Sequence, residues 1–383
     1  MVLCNAEKCN SCLACYNTCP FNAIEIKQNE FGAKQPVIRD TCKNCGLCYK
    51  ACIQVEPQLL REPIKAIALY TRNENDRNTC SSGGAATAFS RYVIAQGGNV
   101  YGATSVGGYP HYIKVQKEDE LEFLKGSKYV YCDPERIYID VKQELQANKL
   151  CLFIGLPCHV AGLLSFLRKD YWNLFTVDLI CHGTPPFSYL KEHLEAKVGD
   201  YSKIGNITFR GKNDFYLIAY DRNNKVLYKR NQYEDEYFMS FMKGFIFRQI
   251  CYDCQFAQNK RVSDITIGDY WNIPKEALNG YRGKISLALI NSNRGLIFFQ
   301  DCKDLFCFEE RDIQEAIYGN EQLNHPFQKN DKAHMFVRYY KAKGSIVYCF
   351  KHLGVTKYTR INKIKRYILY IPKIIKRLII GMI

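Results

Sequence analysis

Eight cysteines near the start of this chain form two copies of one pattern, Cys9, Cys12, Cys15 and Cys19, then Cys42, Cys45, Cys48 and Cys52. Both copies read C-x2-C-x2-C-x3-C. Three thiolates this close together can hold three corners of a 4Fe-4S cube, and in runs of this spacing the fourth cysteine serves the other of two clusters. Cys9, Cys12, Cys15 and Cys52 are therefore expected at one cluster, and Cys42, Cys45, Cys48 and Cys19 at the second. Pro20 follows Cys19 as the signature requires, whereas Ile53 stands at that place in the second copy. Zinc modules instead pair two C-x2-C units across a longer gap. Cys4 lies outside the repeat and reads as an incidental thiol.

A second group lies downstream. Cys158 in GLPCH follows a buried apolar run and opens a helix, Cys181 in DLICHG ends the next strand, and Cys251 and Cys254 form a C-x2-C in ICYDCQF. Ligands of α/β sheets gather outside the carboxyl ends of strands, so Cys158 and Cys181 can face one site. Three segments could then deliver four thiolates to a third cluster, with helix amides near Cys158 offsetting their charge. On spacing alone, a zinc site or two buried thiols beside an unrelated C-x2-C remain open alternatives.

The elements that must position these groups divide the 383 residues into three stretches. AIEIKQNEFGAKQPVIRD between the two runs reads as an antiparallel hairpin, making residues 1–62 a two-cluster ferredoxin-like α+β domain. After a linker marked by Pro57, Glu62 and Pro63, IKAIALYT reads as a buried strand. Helices are predicted over Ser82–Gln96, Pro134–Ala147 and His159–Arg168 and after Pro186. Strands are predicted over Asn99–Thr104, Tyr112–Gln116, 150–155 and 174–180. This alternation predicts an α/β domain with a mixed sheet over 65–320. Strands near 204–209, 215–220 and 225–229 read as antiparallel, turning at Asn223 and Asn224.

With these elements in place the sequence resembles the coenzyme F420 hydrogenase/dehydrogenase beta-subunit family, of the bacterial type associated with polysaccharide biosynthesis. The resemblance rests on SSGGAATA at 81–88, GSKYVYC at 126–132, GLPCHVAGL at 155–163, DLICHGTPP at 178–186 and CYDCQFAQNKRVSDITIGDYWNI at 251–273. It implies a flavoprotein holding FAD and a 4Fe-4S cluster on Cys158, Cys181, Cys251 and Cys254. Ser81, Ser82, Gly83 and Gly84 are the implied flavin contacts, since free amides at a helix start suit a pyrophosphate. Lys128 would supply positive charge, and Tyr129 or Tyr131 would pack on a ring. Asp264 and Asp269 would order the loops around the C-x2-C. His159 and His182, each following a presumed ligand, are the candidate proton donors or tuners of cluster potential. The run His182-Gly183-Thr184-Pro185 departs from the deazaflavin-reducing subunits, which weighs against use of coenzyme F420 itself.

The implied activity is an oxidoreductase. Electrons would come from a reduced ferredoxin, pass through the clusters to FAD and reach an organic substrate, a glycan or isoprenoid precursor in envelope polysaccharide synthesis. The alternatives are an electron-transfer subunit feeding a partner enzyme and a true coenzyme F420 oxidoreductase.

Composition, at 47% hydrophobic and 24% charged residues, excludes a disordered chain or a polytopic membrane protein. The net charge of +15 belongs to one end, because residues 332–383 carry 13 of the 53 Lys and Arg and no acid. The 321–383 stretch is expected as a basic helical tail. Within it, residues 355–383 mix Ile, Leu and Tyr with cations and read as an amphipathic segment on an anionic membrane surface, with a helix docked on the core and a nucleic-acid arm as the alternatives. Pro372, Lys373, Lys376 and Arg377 break the apolar runs too often for a span. No apolar leader precedes Cys4, so the expected location is the cytoplasm, with peripheral contact at the inner face of the membrane.

Overall fold

The computed structural model describes residues 3–211 and 214–366. Between the cysteine runs, β1 (Ile24–Gln28) and β2 (Lys34–Ile38) pair antiparallel with Ile24 opposite Ile38. Asn29 Oδ1 closes the turn by accepting from the amides of Phe31 and Ala33.

The remaining strands are β3 (Lys65–Thr71), β4 (Asn99–Thr104), β5 (His111–Val115), β6 (Cys151–Gly155), β7 (Leu174–Leu179), β8 (Asn206–Arg210), β9 (Phe215–Tyr220), β10 (Val226–Asn231), β11 (Ile265–Asp269), β12 (Ser286–Ile290) and β13 (Phe306–Arg311). Eight of them form one mixed sheet in the order β13-β3-β12-β11-β7-β6-β4-β5. β4, β6, β7 and β11 run parallel to one another, and β3 shares their direction through two antiparallel steps across β12. Their carboxyl ends therefore lie along one edge. Both faces are covered, as nearly all-apolar strands require. Helices Ala85–Ala95 and Asn293–Cys302 pack on Leu69, Val100 and Val177, and helices Ile137–Gln146 and Pro157–Leu167 pack on Tyr101 and Phe153.

Two details depart from the sequence expectation. The helix read from Ser82 begins at Ala85, because Gly84 takes φ +86° and Gly83 lies against β3 and β12. A Cβ on Gly83 would stand 2.6 Å from Leu69 O, so this turn is built by strand packing. Neither β12 nor β13 is expected from the sequence: β12 is a five-residue, fully buried run with no period that separates strand from helix, and β13 is a six-residue edge strand with only Phe306 buried.

The second sheet, β10-β9-β8, is antiparallel. Its core contains Leu217, Tyr237 and Phe238 and also Phe336, Ile346, Cys349 and Phe350 from helices Asp331–Lys343 and Ile346–His352. The C-terminal stretch is helical as expected, but over 331–355 it is core rather than a free tail. Residues 355–366 continue as helix, with Arg366 3.1 Å from Glu234. The membrane-surface expectation for 355–383 falls mostly on 367–383, outside the described residues. Among the described residues no helix is long and apolar enough to cross a membrane.

Beneath the second sheet, Asp235 is fully buried. It accepts from His193 at 2.7 Å, Tyr228 Oη at 2.8 Å and the Phe238 amide at 2.7 Å. Burial alone would raise its pKa, but these contacts outweigh burial and hold the carboxyl below its usual value. A depressed carboxylate stabilises the fold above its unfolded pKa, and that contribution fades as pH falls toward the folded value. Asp235→Asn is expected to cost about 1–3 kcal/mol at pH 7. In urea melts the gap to the wild type should narrow below about pH 4.

The two cysteine-bearing regions share one apolar core. Cys12, Ala14, Ala51 and Ile53 pack with Val160, Ala161 and Leu163, and Arg61 and Arg261 exchange backbone hydrogen bonds of 2.8 Å each.

Candidate metal centres

The structure brings Cys9, Cys12, Cys15 and Cys52 around one cavity, and Cys19, Cys42, Cys45 and Cys48 around another. Each set draws its fourth sulfur from the other run. The loops match in backbone conformation: Ser11 and Leu13 in the first and Asn44 and Gly46 in the second all take positive φ, between 51° and 74°. A left-handed, buried Leu13 is costly, by roughly 1–2 kcal/mol. Such strain persists where the surroundings demand it. This winding turns amides toward sulfur, with Ser11 N and Asn44 N each 3.4 Å from the sulfur of the cysteine two residues before.

A single tetrahedral zinc would draw its sulfurs to roughly 3.8 Å from one another. Among the described residues no three cysteine sulfurs lie within 4.8 Å of each other.

The third set assembles at the carboxyl edge of the main sheet. Cys158 lies in the first turn of helix Pro157–Leu167, Cys181 follows β7, and Cys251 and Cys254 belong to the turn over Gln249–Asp253 and its end. Burial, reinforced by the neighbouring thiols, pushes Cys158 up to about 12 and Cys254 up to about 11. Free thiolates are thus disfavoured here unless a cation stands beside them. Gly183 N points at Cys181 Sγ from 3.4 Å.

Arg248 joins the third set to the first. It is 4% exposed and lies against Cys158, Cys181 and Cys251, whose influence outweighs burial and raises its pKa. Its Nη1 donates to Asn10 O and its Nε to Thr184 Oγ1 at 3.1 Å, while its guanidinium stands 4.8 Å from the Tyr131 ring centroid. Tyr131 Oη donates to Ser11 O at 2.7 Å. Cys12 approaches the same helix so closely that a Cβ on Gly162 would stand 3.2 Å from Cys12 Sγ. Nothing in the spacing of the cysteines signals Arg248; its place three residues before Cys251 is the only trace. Replacing Arg248 with Met removes a buried cation beside this site. At an effective dielectric near 20, that is about 2 kcal/mol, or on the order of 100 mV toward more negative potential for a one-electron centre there. Redox titration followed by EPR would read it.

The expected flavin contacts are placed as follows. Ser82 Oγ donates to Ile285 O at 3.1 Å and Ser81 Oγ accepts from Ser127 N at 2.9 Å, so the Ser81–Gly84 turn is tied to β12 and to the Lys128 segment. Lys128 Nζ donates to the carbonyls of Leu124 and Lys125, both at 2.9 Å, and desolvation lowers its pKa to about 8. Lys284, which donates to Cys80 O, is lowered likewise by burial. Neither lysine has a carboxylate partner among the described residues. Two desolvated lysines fit an anionic group, since the carboxylate acting on Lys284, Asp269, is already paired with Arg210. Arg210 stands with them, bonded to Tyr129 Oη and Asp269, and was equally hidden in sequence.

Three expectations are corrected. Tyr131 does not reach that turn, because Arg248, His159 and Ser11 occupy it. Asp264 lies at the opposite, amino-terminal end of β11, bound to Thr176 and Ser292. His159, expected as proton donor or as tuner of cluster potential, is 0% exposed, and burial with the nearby Arg248 lowers its pKa to about 3, which disfavours the first role and leaves the second. Its Nδ1 meets Tyr112 Oη at 2.9 Å, while its Nε2 is buried without a partner, the kind of atom a bound group would satisfy. His182, by contrast, is exposed; desolvation lowers its pKa, opposed by the nearby carboxylates of Glu321 and Asp269. A cavity of about 510 Å³ lies elsewhere, at the amino-terminal edge of β7 and β11 between Arg61, Arg168 and Arg294.

Sets of cysteines wound in this way define an iron-sulfur protein of the electron-transfer class. Residues 8–82 match the family model for a 4Fe-4S dicluster domain, and residues 148–316 match that for the C terminus of the coenzyme F420 hydrogenase/dehydrogenase beta subunit. The chain carries that beta-subunit domain behind a ferredoxin-type domain. The ferredoxin-type protein NapF of Haemophilus influenzae is 32% identical over 66 residues, 17% of this chain and 32% of that protein, so the chain spans about a third of that relative's length. A chain of the xenon-derivatised F420-reducing NiFe hydrogenase complex from Methanosarcina barkeri superposes with a TM-score of 0.46 and 15% identity, covering 75% of this chain and 95% of that one.

Proposed function

We propose that this chain is an iron-sulfur flavoprotein oxidoreductase that accepts single electrons from a ferredoxin-type donor and delivers them in pairs to an organic acceptor. Cys9, Cys12, Cys15 and Cys52 hold one 4Fe-4S cluster, Cys19, Cys42, Cys45 and Cys48 a second, and Cys158, Cys181, Cys251 and Cys254 a third. The observation that carries this reading is the serial order of the three sets. Cys45 is exposed at one end, the first set lies between, and Arg248 with Tyr131 bridges from Asn10 and Ser11 to the third set at the sheet's carboxyl edge.

FAD is the proposed group beside the third set, where it would supply the exchange between one-electron and two-electron chemistry. The Ser81–Gly84 turn, Lys128, Arg210 and Lys284 hold its anionic portions by charge and backbone. His182 is the accessible group that holds a proton for the acceptor. His159 Nε2, buried without a partner, would donate to the cluster held by the third set and tune its potential. A glycan or isoprenoid precursor as acceptor is supported by family resemblance alone.

The test is iron, sulfide and flavin content of protein purified without oxygen, with spectra before and after dithionite. About twelve irons and one FAD per chain are expected. Eight irons without flavin would reduce the chain to a ferredoxin joined to an α/β binding domain. A second reading, in which the chain passes electrons to a partner enzyme, is supported by the beta-subunit match over 148–316. It predicts that flavin-loaded protein reduces no small acceptor on its own.

A further inference from the structure

The first cysteine cavity has five sulfurs around it. Besides Cys9, Cys12, Cys15 and Cys52, it is lined by Cys4, which lies outside the repeated pattern. The Cys4 side chain faces this cavity together with Cys9 and Cys52. Its position is built rather than frayed. Leu3 is 7% exposed and packs with Cys15 and Ile24, Gln35 Nε2 donates to Cys4 O at 3.1 Å, and the amides of Lys8 and Cys9 both donate to Asn5 O at 3.0 Å. A cube needs four cysteines, and this cavity offers one more than that.

We infer that Cys4 is a reserve ligand of this cluster, able to take the corner held by Cys52. The inference rests on the ligand assignment proposed above. In the exchange the Cys4 thiol loses its proton as its sulfur bonds to iron, and the displaced Cys52 sulfur takes a proton up; no electron is gained or lost. With Cys4 in place, all four ligands come from residues 4–15. The cube can then be held before the second run closes over it, and it survives loss or oxidation of the one ligand that comes from afar.

The experiment uses the full chain purified without oxygen, as wild type, Cys4→Ala, Cys52→Ala, Cys52→Ser and Cys4→Ala/Cys52→Ala. Iron and sulfide are counted, and iodoacetamide labelling of the folded protein is mapped by mass spectrometry. The wild type and each single variant are expected to hold the same iron, and the double variant about four irons fewer. Cys4 should label readily in the wild type and become protected in both Cys52 variants. Loss of about four irons from both Cys52→Ala and Cys52→Ser overturns the inference, as does full iron in the double variant or a Cys4 that still labels in iron-replete Cys52→Ser. Wild-type protein with no iron in its N-terminal domain would instead remove the ligand assignment itself.

Discussion

Cys158→Ala is expected to remove about four irons per chain while the eight of the N-terminal domain remain. Cys158 sits 7% exposed in the first turn of a buried helix, so the change is small in volume and the local fold should persist. What is lost is one of four sulfurs delivered by three separate segments. The protein should still be reduced by dithionite at its N-terminal clusters, yet electron delivery to an acceptor should fall at least a hundredfold, since the series is cut in its last third. Iron analysis with EPR of the reduced protein, read beside ferredoxin-dependent dye reduction, checks both halves. Cys251→Ala should behave alike. Unchanged iron in both variants would sink the third centre.

Arg261→Met is expected to be the most destabilising single change in the chain. Arg261 is fully buried, and its guanidinium donates to Asp178 Oδ1 at 3.0 Å, Phe256 O at 2.7 Å, Thr266 Oγ1 at 3.1 Å and the carbonyls of Gln258 and Leu179. It thereby pins the loop after Cys254 to the end of β7, just before Cys181. Removing the cation leaves Asp178, itself 0% exposed, as a buried unpaired charge, at a cost of about 3–5 kcal/mol. Against a typical total of roughly 5–15 kcal/mol, such a loss puts the fold near its limit. Urea midpoints should fall accordingly, and the third centre should lose iron before the N-terminal pair. The double variant Arg261→Met/Asp178→Leu should recover much of the loss, because apolar groups of similar size can replace a buried pair at little cost. A double variant no better than the single one would locate the effect in the loop contacts instead.

Both changes show how unevenly this protein can be read from its residues. The two repeated runs determined their own eight cysteines, their crossed pairing and the hairpin between them, because cube ligation imposes short, fixed spacings that survive in one dimension. The alternation of strand and helix over 65–200 was legible for a similar reason: each element is amphipathic or buried along its own length. The sequence also marked Cys158, Cys181, Cys251 and Cys254, as thiols at strand ends and helix starts, without showing that they meet.

Only the tertiary structure decided the rest. β12 and β13 acquire their identity by pairing with β3, more than two hundred residues away, so no local period announces them. Arg248 and Arg261 look like ordinary surface cations in sequence, and become central because folding buries them where thiols and a carboxylate have no other counter-charge. Tyr131 and Asp264 were misplaced by their neighbours in the chain. Tyr131 lies in irregular chain whose course is set by tertiary contacts, and Asp264 and Asp269 stand at opposite ends of β11, a strand's length apart. Cys4 was set aside for lying off the repeat. Its meaning depends on distance to Cys52, which is a property of the folded loop alone.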